Sequence, residues 1–232
     1  MLRMKKLKTA KQKIINQQLE IRKKIDSIEF EAHWFRRVFH TFAASFLIYY
    51  MLPDEPWITT LKTFLAVGIV VFVFILEYLR IKGKIRNSNF FGLRIYEEKR
   101  PVSYVYFGVA LCILLVFFPQ QIAIPCILCA CFSDPIIGEI RYRLGKKKAY
   151  VIGFFVCMFF FLITWYTADI PILLLASLLG ASAAVVGEAK KFWLIDDDFM
   201  IQILPAIILL LLWQGLMFGG INILPAELLL PI

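Results

Sequence analysis

Apolar runs separated by polar segments constrain this chain more than any other feature. They are Val38–Leu52, Ile58–Leu79, Val102–Phe118, Ile122–Phe132, Tyr150–Thr167, Ile170–Val186 and Ile201–Phe218. A hydrocarbon core about 30 Å thick needs roughly 20 residues of helix to cross it. Only helices and closed barrels satisfy every backbone N–H and C=O there. Val38–Leu52 and Ile122–Phe132 are short for this task. They are expected to begin inside the flanking polar segments, or to be broken where they line a cavity. A last stretch, Ile221–Ile232, carries two prolines and Glu227 and is expected to lie at the interface. Composition agrees: 60% of the 232 residues are hydrophobic, against about 45–50% in soluble domains. The expected fold is therefore an all-α, polytopic membrane helix bundle of about seven spans.

Charge placement tests that map. Of 26 Lys and Arg residues, 11 precede the first run, 7 lie in Arg80–Arg100, 5 in Arg141–Lys148 and 2 at Lys190 and Lys191. The exception is Lys62, placed to snorkel from the start of its span. Seven spans put every basic segment on the side holding the N-terminus, which the positive-inside rule assigns to the cytoplasm. An integral protein of a prokaryotic cell membrane or the endoplasmic reticulum follows. The net charge of +9 has anionic membrane lipids as its natural partner, and with no recognisable nucleic-acid motif it does not imply DNA or RNA.

The first 37 residues are basic and polar and lack the apolar core of a cleavable signal peptide. The chain thus divides into an N-terminal basic amphipathic cytoplasmic helix, 1–37, and a transmembrane domain, 38–232. Within Met4–Arg37, Leu7, Ile14, Ile21 and Ile28 recur every seven residues. Such a stripe suits an anionic membrane surface. It also permits pairing with another helix, and a homodimer stays open. Cys112, Cys126, Cys129, Cys131 and Cys157 all fall in or beside apolar runs, so they read as buried reduced thiols.

Polar groups at or inside a membrane are costly and point to function. Four sets fall on the basic side. Glu31, His33, Arg36, Arg37 and His40 stand at the mouth of the first span, the last four at helical spacing. Two guanidiniums with imidazoles suit a polyphosphate. Glu77 and Arg80 sit at i and i+3, the spacing of an ion pair. Ser133-Asp134-Pro135 leads to Gly138, Glu139, Arg141, Arg143 and the run Lys146, Lys147 and Lys148. Asp before Pro reads as an N-cap opening a cytoplasmic helix. Finally, Glu188 precedes Asp196-Asp197-Asp198, three carboxylates whose hard oxygens suit Mg²⁺ shared with substrate phosphates.

Taken in order, Glu31…Arg36-Arg37-x-x-His40, Glu77-x-x-Arg80, Phe132-Ser133-Asp134-Pro135, Arg143-Leu144-Gly145-Lys146, and Glu188…Asp196-Asp197-Asp198 with Pro205 resemble the polyprenol kinase family of dolichol, phytol and CTP-dependent diacylglycerol kinases. The family's Lys-Ser/Thr-x-Glu-Gly element is replaced by Lys148-Ala149-Tyr150, and its Asp-Asp-Asn by three aspartates. The resemblance implies CTP-dependent phosphorylation of dolichol or a related long-chain lipid alcohol. On that reading Mg²⁺ sits on Asp134 and on Asp197 or Asp198. Arg36, Arg37, His40, Arg80, Lys146, Lys147 and Lys148 bind nucleotide phosphates. Asp134 or Glu188 orients or deprotonates the hydroxyl, with Glu31 and Glu77 supporting. The competing expectations are a CTP-using cytidylyltransferase of phosphatidate type, and a membrane transporter or scaffold without catalysis.

Overall fold

A computed structural model describes residues 34, 36–85, 97, 100–190 and 195–232. All regular structure among them is helical, and no strand occurs. The N-terminal amphipathic helix expected before the first span lies outside the described residues. Residues 36–43 form α1, which tightens into a 3-10 stretch at Ala44–Tyr50. There follow α2 (Pro56–Ile81), α3 (Ser103–Phe117), α4 (Gln120–Leu144), α5 (Lys146–Thr164), α6 (Ile170–Ala189) and α7 (Asp197–Phe218). Among the described residues five helices, α2 and α4 to α7, are long and apolar enough to cross a membrane. α3 is apolar but has only 15 residues, about 22 Å at 1.5 Å per residue.

Two ends of the bundle are defined by contacts. At one end the start of α1, the end of α2, the start of α3 and the start of α7 meet, since Arg36 bonds Asp198 and the Val102 N–H donates to Glu77. At the opposite end the C-terminal segment folds across the helix ends. Gln120 grips Leu229 through both amide atoms, at 2.9 and 3.0 Å. Ala226 N–H donates to Thr167 Oγ1, and Ile232 N–H to the Met51 carbonyl. Lys62 reaches this end as expected, with Nζ 2.8 Å from Asp54 and over the Tyr49 ring.

The fourth apolar run begins inside its flanking polar segment, as expected, and continues to Leu144, but Asp134 does not cap a new helix. Ser133 is itself helical, and the chain passes through a π turn at Cys129–Ser133 directly into Asp134–Leu144. The prolines explain the local geometry. Pro125 has no N–H to offer the Gln121 carbonyl one turn back, and the Trp165 indole donates to that oxygen at 2.8 Å. In π register the Ala130 carbonyl would face the nitrogen of Pro135, which carries no hydrogen. His40 Nδ1 lies 3.3 Å from that carbonyl instead. Single-turn π bulges of this kind recur at functional positions.

α6 packs against its neighbours through small residues. Ala176, Ser177, Gly180, Ala181, Ala184 and Gly187 are all buried. A Cβ on Gly187 would stand 2.6 Å from the Met200 carbonyl oxygen, and one on Gly180 would strike the Phe161 ring. Close backbone approach through small residues is the usual means of helix association in lipid. Gly187→Ala is therefore expected to cost about 1–3 kcal/mol by overpacking. The melting temperature in detergent should fall and should not recover with Met200→Ala, because the obstruction is backbone. Gly180→Ala should be partly rescued by Phe161→Leu.

Candidate functional site

One end of the bundle collects carboxylates from separate parts of the chain. The π turn and the long α4 carry Asp134 beside α1, while the close α6–α7 contact sets Glu188 near the first turn of α7. Asp196 caps α7, its side chain accepting from the Asp198 N–H at 3.1 Å. Acidic residues in a first helical turn meet the positive end of the helix dipole. The cap and the dipole locally account for acidic residues at this helix start, but not for the burial of Asp198.

His40, Asp134 and Asp198 each offer a ligand atom within 4.8 Å of the others. His40 Nδ1 is 3.2 Å from Asp134 Oδ2, and Nε2 is 3.8 Å from Asp198 Oδ2. Both close neighbours of Nδ1, the Ala130 carbonyl and the Asp134 carboxylate, are acceptors, so Nδ1 carries the proton. Nε2 is buried without a hydrogen-bond partner and faces Asp198 Oδ2. The imidazole thereby orients Asp134 and keeps one nitrogen open. Its ring rests on Phe107, with centroids 4.5 Å apart.

Cations flank the carboxylates. Arg36 NH2 donates to Asp198 Oδ2 at 2.7 Å and approaches Glu97 at 3.9 Å. Arg141 pairs with Glu188 Oε1 and stacks over Tyr150. Glu188 is buried, and its other oxygen, Oε2, has no hydrogen-bond partner. Asp196, Asp197 and Asp198 form a second set of oxygens within 4.8 Å. Burial first, then the charges of Asp198 and Asp197, push the Asp196 carboxyl up to about 8. Carboxylate oxygens gathered in this way, one of them buried and unused, could hold a hard divalent cation.

The remaining candidates sit differently. Asp197 belongs to the aspartate triplet, in the first turn of α7. Arg80 is fully enclosed: it clasps Glu77 through Nε and NH2 at 2.8 and 2.6 Å and donates to the Glu97 and Arg100 carbonyls. Its donors hold the approach to α3 in place, with Glu77 taking the Val102 N–H. That occupation, and the lack of an open face, replaces the expected phosphate contact with a structural one. Arg37 turns outward to Glu139, which also pairs with Arg143.

Lys146, Lys147 and Lys148 all fall in the first turn of α5, and all three are exposed. None of them, Lys147 included, has an ion-pair partner among the described residues. The expected phosphate cradle is thus an open basic rim rather than part of the enclosed cluster, because three consecutive lysines fan around the helix start and stay solvated. Glu31 and His33 lie outside the described residues. Arg141 belongs to the third polar set of the sequence, but its pairing with Glu188 of the fourth set is not apparent there. Comparison with family models, curated proteins and solved structures finds no match.

Breaking a buried ion pair by removing one partner costs about 3–5 kcal/mol, so Arg80→Met should lose most folded protein. Adding Glu77→Gln should restore part of the lost melting temperature. For the aspartates, a raised carboxyl binds its proton in the folded state up to about pH 8. Its contribution to stability is full below the ordinary carboxylate range and is lost as pH rises through 8. A divalent cation held by the triplet would compete with that proton. The rise in melting temperature on adding Mg²⁺ should therefore be larger at pH 8.5 than at about pH 6. A shift independent of pH would dissociate Asp196 from cation binding.

Proposed function

We propose that this protein is a Mg²⁺-dependent kinase of membrane lipid alcohols. It would cross the membrane seven times, with the carboxylate cluster on the cytoplasmic face, and transfer a phosphoryl group from CTP to dolichol or a related polyprenol. One observation carries the reading: Asp134, Asp198 and His40, from three separate segments, bring ligand atoms within 4.8 Å of one another at one end of an apolar helix bundle. The ordered motifs they belong to add the choice of CTP and of a lipid hydroxyl.

Bound on Asp134 and Asp198, with Asp197 adjacent, Mg²⁺ would neutralise charge on the nucleotide phosphates. Arg36 adds positive charge beside Asp198. Arg37, Lys146, Lys147 and Lys148, at the exposed rim, offer further cations to the triphosphate as it arrives. His40 acts as a positioning residue, holding Asp134 through Nδ1. Glu188 Oε2 is free to accept the hydroxyl proton, a task for a buried carboxylate with an open oxygen. In the transfer, the lipid oxygen forms a bond to the γ-phosphorus. The bond from that phosphorus to the β–γ bridging oxygen breaks, CDP leaves, and the alcohol proton passes to the carboxylate. Charge neutralisation and alignment supply the catalysis, because phosphoryl transfer demands little covalent chemistry of the protein.

The test is purified protein in detergent with Mg²⁺, a polyprenol, and CTP labelled either at the γ-phosphate or in the base. The γ-label should appear on the lipid. Asp134→Asn and Asp198→Asn should each lower turnover by on the order of 10²-fold or more, as for other preorganised electrostatic groups, while inserting normally. Transfer of the base label would assign cytidylyl transfer instead, and undiminished turnover in both variants would sink the scheme.

A further inference from the structure

A slot of about 460 Å³ runs between α1 with its 3-10 extension, α2 and α3. Its walls are almost entirely apolar, and it lies within the size range of small-ligand sites. From Tyr104 to Leu115 it follows three turns of α3, about 16 Å. That length is over half of a hydrocarbon core about 30 Å thick. An occupant of this shape is one extended chain along the helices.

The two ends of the slot differ in chemistry. At the carboxylate end its lining includes Phe39 and Phe107, the aromatic neighbours of His40. The Phe107 carbonyl accepts from Gln202 Nε2, one turn beyond Asp198 on α7. The slot wall and the carboxylate cluster are therefore joined by two direct contacts. At the other end the lining includes Lys62, which is buried against Asp54 and Tyr49. An ion pair at the end of an apolar slot excludes further hydrocarbon and stops the chain there. The long side opens outward: Phe42, Ile48, Leu65 and Ile69 all line the slot and are exposed. On a helix as apolar as α2 that exposure faces lipid.

We infer that this slot holds the hydrocarbon chain of the acceptor alcohol, admitted sideways from the bilayer, with its hydroxyl at the His40–Asp198 end. The inference rests on the proposed kinase reading for the identity of the alcohol. A linear isoprenoid or alkyl chain fits. A chain that outruns the slot must leave through the open side before Lys62.

Cys112 reports on the slot directly. It lines the cavity and is half-buried, whereas Cys126, Cys129, Cys131 and Cys157 are fully buried. Alkylation of Cys112 by N-ethylmaleimide, followed by mass spectrometry on the full chain in detergent, should slow several-fold when geranylgeraniol is added. Protection should persist without Mg²⁺ and in Asp198→Asn, since neither change alters the lining that holds the hydrocarbon. Gly108 lines the slot, and nothing lies within 4 Å of where its Cβ would stand. Gly108→Phe should therefore fold, remove the protection and raise KM for the alcohol more than it lowers kcat. Gly108→Leu provides a milder second plug. Unchanged alkylation with the alcohol, protection that survives both plugs, or equal protection by a phospholipid would overturn the inference. Protection without any phosphoryl transfer leaves the slot standing and removes the kinase reading; transfer with no protection does the reverse.

Discussion

Uncompensated negative charge in a low-dielectric setting is the constraint around which this end of the molecule is arranged. Asp134, Glu188 and the aspartates 196–198 crowd the same bundle end, faced by Arg36 and Arg141. Like charges in a poorly solvated site raise one another's energy unless protons or cations intervene. The upward push on Asp196 expresses that excess. So does the unpartnered oxygen of Glu188, since a buried acceptor left unmade costs about 1–3 kcal/mol. An arrangement that only anchored helices would have no use for it. A bound cation would answer both the charge and the open oxygen.

The contrast with Glu77 and Arg80 sharpens the point. Here a carboxylate and a guanidinium are equally buried, yet their groups are matched: two contacts between the side chains, two to backbone carbonyls, and a backbone N–H returned to the carboxylate. That is a closed network, and closed networks fix geometry. It secures the approach to α3, whose Phe107 supports His40. Short of saturation, these residue types behave as a site; saturated, they behave as a brace.

Much of this is readable from residue order alone. Apolar runs and basic segments mark the helices and the end at which polar groups gather, because lipid leaves the backbone few options. The aspartates and Asp134 are recognisable because carboxylates bordering apolar runs are expensive. What residue order does not carry is saturation. Arg80 and Arg36 look alike as basic residues at span ends, and only packing separates the enclosed one from the one on Asp198. Lys147 and its two neighbours read as a phosphate cradle, and only the helix start beneath them shows that they point outward. Likewise, Asp134-Pro135 carries the signature of a helix start, but Pro135 instead sits within a continuous helix, where the missing N–H helps release a carbonyl to His40. Local propensity is overruled by a tertiary contact. The run before Asp134 looks too brief to span only when the polar half of α4 is counted as a separate element. The contact of Arg141 with Glu188 escapes notice because the two are distant in sequence.

The apolar slot and the carboxylate cluster depend on each other through α1. Its helical first part presents Arg36 and His40 to the aspartates, and its tighter 3-10 continuation lines the slot. A 3-10 stretch rises about 2.0 Å per residue against 1.5 Å for an α-helix. The change of pitch therefore lets a short segment reach from the polar end to Met51, which meets Ile232 at the far side. A regular α-helix of the same residues would stop short and would rotate Phe46 and Tyr49 relative to the slot. The shortness of this first apolar run, a defect for crossing a membrane if read alone, is thus tied to holding the carboxylate cluster and the apolar slot on one continuous piece of backbone.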